Sequence, residues 1–394
     1  MFADKYLIKN QNVALVQDEP DEHTGLIVVI PCLNEPEIVK TLESLVRCDR
    51  PGSTVEIIVL INHSETAAEN ITQQNQQTKA ELDVWMRSKT SDELRFYAVG
   101  PVVLRKKWAG AGLARKKGMD EAVRRFNLLN KTDGIIVSLD ADTLVAKNYL
   151  VELERHFKKH PKQVGATLAF EHPKDQLDNK HREGIELYEK YLYYYKNSLD
   201  FAGYPHAMFT IGSAFAVTAD AYVRRGGMNR RQAGEDFYFL QNLVQLGTVG
   251  EITGTKVYPS ARLSDRVPFG TGPILSKWMS GEEDLLKTYS FQSFIDLKKF
   301  FDIKCSLYKT DFEKYNSILK ELPNGISEFL HETDFWLELE DLNRNCSTSV
   351  AFKNRFFQKF NAFKILKYLN FMQENHYPAV NLNTQLQLLE NASC

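Results

Sequence analysis

Between Leu26 and Asp140 short apolar runs alternate with segments of helical length. LIVVI, VEIIVLI, LRFYAV and GIIVSL are the runs, and between them lie a stretch from Glu35 to Val46, a polar stretch from about Glu65, and one from Leu113 to about Leu129. β-Branched runs of this length between helices predict right-handed βαβ crossovers, hence an α/β fold with a mostly parallel sheet flanked by helices. Asn34 is placed to cap the first of these helices with Pro36 as its second residue, and Ser64 to cap the next. Ligands of such sheets gather beyond the carboxyl ends of the strands, and Asn34, Glu35, Asn62, Asp140 and Asp142 all follow strand ends. GATLAF and AMFTIGSAFAVT read as further strand segments around a tyrosine-rich helix, LYEKYLYYYKNSL. Beyond about Pro273 the alternation stops and helices with polar loops follow. The pattern predicts an N-terminal extension over 1–24, an α/β domain over 25–272 and a helical region over 273–394.

The chain has 394 residues, of which 49 are Lys or Arg and 51 Asp or Glu, leaving a net charge of -2. That balance gives no field for nucleic acid. The five cysteines, Cys32, Cys48, Cys305, Cys346 and Cys394, are scattered and form no Cys-x-x-Cys pair, which fits a reducing compartment better than a zinc site or a disulfide framework. MFADKYLIKN lacks the apolar core of a signal peptide, and no apolar run approaches the roughly 20 residues that span a bilayer. A soluble, cytoplasmic protein is the expectation.

Three short segments carry chemistry. In GIIVSLDADTLV an apolar strand ends on Asp140 and Asp142. Two neighbouring carboxylates repel, and a divalent cation relieves that repulsion. Hard oxygen ligands suit Mg²⁺ or Mn²⁺, which in turn bind phosphates; the alternative is that Asp142 caps the following helix. RKKWAGAGLARKKG, Arg105 to Gly118, offers glycines, a helix N-terminus and Arg115 in its first turn, which suits a pyrophosphate, although a solvated basic helix reads the same way. AGEDFYFLQNL opens a helix on Glu235 and Asp236. Acids there are favoured by the helix dipole alone, and either is also a candidate general base.

In order and spacing, VVIPCLNE, LDADT and AGEDFYFLQNL resemble the signature segments of family 2 glycosyltransferases with the Rossmann-like GT-A fold, over about Gly25 to Gly272. The resemblance implies transfer of a sugar from a nucleotide diphosphate sugar to an acceptor hydroxyl, usually with inversion. Pro31, Asn34 and Glu35 would then border the nucleoside and Arg115 would face the nucleotide. Asp140 and Asp142 would serve ribose, Mn²⁺ or Mg²⁺, and diphosphate, while Asp236 would be the base with Glu235 as the competing candidate. The donor implied is a UDP-sugar, with a GDP-sugar as the alternative, and the acceptor a carbohydrate or a lipid-linked one.

Two departures narrow this. Where many relatives have two aspartates and a glycine after the second strand, this chain has Ile61, Asn62 and His63. Asn62 can still meet a base edge, but uracil preference is less secure. A Gln-x-x-Arg-Trp segment is absent after Asp236, which favours single addition over processive synthesis. In its place stands PSARLSDRVPFGTG, where Arg262 and Arg266 could reach the diphosphate, Asp265 could be a third metal ligand and the glycines could hinge a loop; an ordinary surface loop is the alternative. Rival functions are a sugar-nucleotide pyrophosphorylase, opposed by the lack of glycine in IPCLNEPE, and a catalytically silent nucleotide-sugar binding protein, opposed by the retained carboxylates.

Two further features need partners. Tyr188, Tyr191, Tyr193, Tyr194 and Tyr195 cover more than one helical face, so they either wall an acceptor or, as is favoured here, pack on the C-terminal helices. Near them, His206 reads as a structural histidine. AFKNRFFQKFNAFKILKYLNFM, 351–372, has Phe352, Phe356, Phe360 and Phe363 at helical spacing and Lys353, Arg355, Lys359, Lys364 and Lys367 with no acid. Docking of the aromatic face on the catalytic domain is the preferred expectation. The alternative is a peripheral contact of 351–373 with the inner face of a membrane, which would suit a lipid-linked acceptor.

Overall fold

Eight of the nine residues of β1 (Thr24–Cys32) are buried, and so are the first nine of the eleven in β2 (Thr54–Ser64). Strands without a polar face need cover on both sides, which crossover helices supply. In the computed structural model, which describes residues 1–230, 234–264 and 270–393, those helices are present. After α1 (Asp4–Lys9) and β1 come α2 (Ile38–Val46), β2, α3 (Glu69–Lys89), β3 (Leu94–Leu104), α4 (Ala111–Leu128), β4 (Ile135–Ser138), β5 (Leu144–Val145), α5 (Tyr149–Lys159) and β6 (Gly165–Phe170). Then follow α6 (Asn179–Phe201), β7 (Phe215–Thr218), α7 (Ala219–Arg224), α8 (Glu235–Leu243) and β8 (Val249–Tyr258).

The eight strands form one sheet in the order β3-β2-β1-β4-β7-β6-β8-β5. The pairs β3–β2, β2–β1, β1–β4 and β6–β8 are parallel, whereas β4–β7, β7–β6 and β8–β5 are antiparallel. The α/β class read from the alternation is the observed one, and the antiparallel β7 and β5 make the sheet mixed. Helix α4 covers β1 and β2, and α3 covers β2 and β3.

The expected helix starts are displaced. α2 begins at Ile38 rather than at Glu35, with Glu37 and not Asn34 in the capping position, and Asn34 adopts a left-handed backbone, φ 49°. α3 begins at Glu69 behind Ala68, and Ser64 still belongs to β2.

Residues of the N-terminal extension are fastened along α4. Ala3 N–H donates to Asn127 Oδ1 at 2.8 Å, Tyr6 OH to Asp120 at 2.6 Å, and the Leu15 and Val16 amides donate to Glu121. Beneath them the fully buried Arg125 pairs with the fully buried Glu56, Nη2 to Oε1 at 2.8 Å, and also donates to the Asp18 carbonyl at 2.7 Å. Buried charges persist only when paired and hydrogen-bonded in this way.

The chain divides into two compact units, Met1–Asp178 with Phe209–Ser276, and Asn179–Met208 with Lys277–Cys394. The tyrosine-rich α6 thus belongs to the same unit as the C-terminal helices. Tyr194 is buried there, its hydroxyl donating to the Tyr289 carbonyl at 2.8 Å and its ring edge-on to Phe294 at 5.8 Å. Packing on C-terminal helices, the favoured expectation for this cluster, accounts for Tyr194, while Tyr193 remains exposed.

The segment 351–372 is two helices, Ser349–Lys359 and Ala362–Asn375, because Asn361 caps the second through Oδ1, which accepts from the amides of Phe363 and Lys364. Phe352, Phe356 and Phe360 are fully buried inside the second unit. The rings around them are its own Phe300, Phe301 and Phe335, so the expected docking on the catalytic domain is corrected to packing within the helical unit. Those three rings are therefore not available to lipid. Among the described residues no helix is long and apolar enough to cross a membrane.

Candidate active site

The carboxyl ends of β1 and β2 are joined by a chain of side-chain amides. Asn62 Nδ2 donates to the Cys32 carbonyl at 3.1 Å, Asn75 Nδ2 donates to the Asn62 carbonyl at 2.8 Å, and Asn75 Oδ1 accepts from the Asn34 N–H at 2.9 Å. That last bond helps hold Asn34 in its left-handed conformation, which asparagine tolerates better than most residues. Asn75, fully buried on the polar helix α3, had no signal in the hydrophobic pattern. Asn62 is only 2% exposed and its amide is engaged here, so its expected approach to a base edge is replaced by a role in tying two strands together. Pro31 is also buried, paired in register with Leu60 inside the sheet rather than bordering an open crevice.

Just beyond these ends, the backbone turn brings Glu35 under Arg262. The guanidinium donates through Nη1 to Glu35 Oε1 at 3.0 Å, through Nη2 to Glu35 Oε2, and through Nη2 to Asp142 Oδ2 at 2.7 Å. Glu35 is buried, whereas Arg262 and Asp142 retain 31% and 30% side-chain exposure and so remain reachable. Thr41 of α2 donates to the Ala141 carbonyl at 2.9 Å, fixing the turn that carries both aspartates. Burial pushes Asp142 up to about 6, the nearby Asp140 and Glu35 carboxylates push the same way, and Arg262 opposes them.

Asp140, the first of the pair, accepts from Nη2 of Arg115, and Nη1 of the same guanidinium donates to Glu235. Arg115 is 2% exposed, so it does not face a nucleotide as expected. Burial alone would lower its pKa, but Asp140 and Glu235 outweigh burial and raise it. Gly234, left-handed at φ 69°, delivers the chain into α8, whose first residue Glu235 is buried and whose second, Asp236, is half-buried. Asp236 Oδ1 accepts from the Phe237 N–H at 2.7 Å. Burial, and then the adjacent Glu235 carboxylate, push Asp236 up to about 7 against the pull of Arg115.

The two candidate metal residues Asp140 and Asp142 thus lie close enough to repel. Among the described residues no group of three His, Cys, Asp or Glu side chains converges as a metal cage. Asp140 and Asp142 are the hard-oxygen carboxylates at this turn, and each is bonded by an arginine, Arg115 and Arg262 respectively. Asp265 and Arg266, the other residues proposed from sequence, lie outside the described residues.

Acids thus stand at the strand ends of the α/β sheet and at the start of α8, the side of such a sheet where ligands gather. The sequence profile described as Glycosyl transferase family 2 matches residues 27–225, half of the chain, and the chain belongs to that family: it is a glycosyltransferase. No curated protein matches it. Among solved structures it is similar to residues 1–349 of S. aureus TarS in complex with UDP-GlcNAc, at 12% identity and a TM-score of 0.42, covering 84% of this chain and 91% of that one. The same TarS segment in complex with UDP gives 12% identity and a TM-score of 0.39 over 75% of this chain and 78% of that one. For TarS as a whole the values are 12% and 0.38 over 75% of this chain, which spans 47% of that protein.

Proposed function

We propose that the protein transfers a sugar, with inversion, from a nucleotide diphosphate sugar to a hydroxyl of a carbohydrate or lipid-linked carbohydrate, one residue at a time. A UDP-sugar is the first donor to test and a GDP-sugar the second. The observation that carries the reading is Asp236, half-buried at the start of α8 and pushed up to about 7, in a family 2 chain whose other strand-end acids are arginine-paired. A base with its pKa near working pH is the efficient one for taking a proton from a hydroxyl. Glu235, engaged by Arg115, is the poorer candidate.

Asp140 and Asp142 would hold Mn²⁺ or Mg²⁺. When bound, such an ion neutralises the charge developing on a leaving diphosphate. Arg262, held by Glu35 and Asp142 yet partly exposed, supplies a second cation at the same end of the crevice. Asp236 accepts the proton of the acceptor hydroxyl as that oxygen attacks the anomeric carbon. Single addition is supported by the lack of a Gln-x-x-Arg-Trp segment and of a membrane-crossing helix among the described residues. We place the reaction in the cytoplasm, consistent with the free Cys32, Cys48, Cys305 and Cys346. Membrane contact through 351–373 is left with only its exposed basic residues, such as Lys353, Arg355 and Lys367, as support.

The test is Asp236→Asn, which keeps the shape and removes the basicity. Turnover should fall about 10²–10⁴-fold while UDP affinity changes within a few fold. Near-normal transfer by this variant would show that Asp236 is not the base.

A further inference from the structure

Arg115 is buried where a nucleotide-facing arginine would be exposed, and its two bonds run to opposite halves of the site. Nη2 donates to Asp140 at the end of β4 and Nη1 to Glu235 in the first turn of α8. Its space exists because residue 212 is glycine, since a Cβ there would stand 2.8 Å from Nη2. The Gly212 carbonyl is itself held by Ser138 Oγ at 2.6 Å. On α4 the adjacent Lys116 is anchored to Asp120 at 2.9 Å and to Tyr6 OH at 2.9 Å. The guanidinium thus sits buried in a built slot.

We propose that Arg115 and Glu235 are a positioning pair for Asp236, locking the first turn of α8 to the strand-end Asp140 so that the base is set in place and charge relative to the donor. The inference rests on Asp236 being the base. Two ionised carboxylates in one helical turn repel, and Arg115 compensates the buried one, leaving proton chemistry to its neighbour. The same guanidinium also bonds Asp140, so one side chain links the strand end to the first turn of α8. Among the described residues, the charged groups acting most on Asp236 are Glu235, Arg115 and Asp140.

The pair makes opposite predictions for its two members. Hydrolysis of UDP-glucose and UDP-N-acetylglucosamine, with water as acceptor and Mn²⁺ present, is followed across about pH 5 to 9 for Arg115→Met, Arg115→Lys, Glu235→Gln and Asp236→Asn. Arg115→Met should lower kcat about 10–100-fold with the Kd for UDP within about threefold, and Arg115→Lys should recover part of the loss. The acid limb of kcat should move to higher pH in Arg115→Met, which loses a positive neighbour, and to lower pH in Glu235→Gln, which loses a negative one. A merely structural pair would lower the melting temperature and leave the limbs where they are. Should Arg115→Met fail to fold, the shift in Glu235→Gln decides alone. Unmoved limbs, or a loss of UDP affinity that accounts for the whole loss of turnover, overturn the inference. If these appear while Asp236→Asn is inactive, only the positioning pair falls; if Asp236→Asn hydrolyses donor at the normal rate, the base reading falls with it.

Discussion

Asp236→Asn should make the protein more stable in the same step that makes it inactive. Burial and the Glu235 carboxylate raise Asp236 from 3.8 to about 7. In the unfolded chain an aspartate ionises near pH 3.9, so the fold penalises the charged form. Below about pH 4 both states hold the proton and there is no penalty. Between about 4 and 7 the unfolded chain ionises first, the penalty grows, and above about 7 it is constant. At about 1.4 kcal/mol per pH unit over a window of about three units, the unscreened cost is about 4 kcal/mol. Asp236 is only half-buried, so solvent screening reduces this to about 2 kcal/mol.

Asparagine removes the charge but keeps an oxygen for the Phe237 amide, now at 2.7 Å. Urea unfolding at pH 8 should therefore show a gain of about 2 kcal/mol for the variant, shrinking toward zero at pH 4. Trading stability for a strained functional group is a common pattern at active sites. A variant less stable than the parent at pH 8, or one whose gain is the same at both pH values, would refute the claim that the fold holds this carboxylate at an energetic cost.

Two further outcomes are expected. Asp142→Ala should erase the extra stabilisation that UDP with Mn²⁺ gives over UDP with chelator, an effect of about 2.7 kcal/mol when free ligand is about 100 times its Kd; a difference that persists in calorimetry removes Asp142 from the metal assignment. Phe360→Ala deletes a fully buried ring that stands 5.1 Å from Phe300 and 5.6 Å from Phe335, and should cost about 3–5 kcal/mol without altering binding to anionic vesicles. Unchanged stability with lost vesicle binding would restore the membrane reading of this segment.

The elements that sequence revealed are those whose burial is continuous. β1 and β2 are apolar almost throughout because helices cover both faces, and such runs between helices are hard to mistake. β8 escaped notice because VGEITGTKVY mixes glycines and threonines and buries only Ile252, Thr255 and Val257, so neither period of two nor a solid apolar run announces it. The start of α2 was misplaced for a different reason. Asn34 and Pro36 are a sound local cap signal, but Asn75, forty-one residues on, takes the Asn34 amide and holds the backbone left-handed. Long-range hydrogen bonds of this kind leave no trace in local propensity.

The same limit governs the site. Asp140, Asp142, Glu235 and Asp236 stood out as acids at a strand end and a helix start, but their partners did not: Arg262 reaches Glu35 across 227 residues and Arg115 reaches Glu235 across 120. Arg115 looked like an anion ligand because it lies in the first turn of a helix. Charge balance decides otherwise. The strand ends and α8 bring together Glu35, Asp140, Asp142, Glu235 and Asp236, and among the described residues two guanidiniums, Arg115 and Arg262, bond four of these five acids. Both arginines are held by carboxylates here, and after burial the neighbouring carboxylates contribute to the raised proton affinity of Asp142 and Asp236. A diphosphate arriving beside these carboxylates would add like charge next to Asp140 and Asp142, and that repulsion is the physical ground for proposing a divalent ion there.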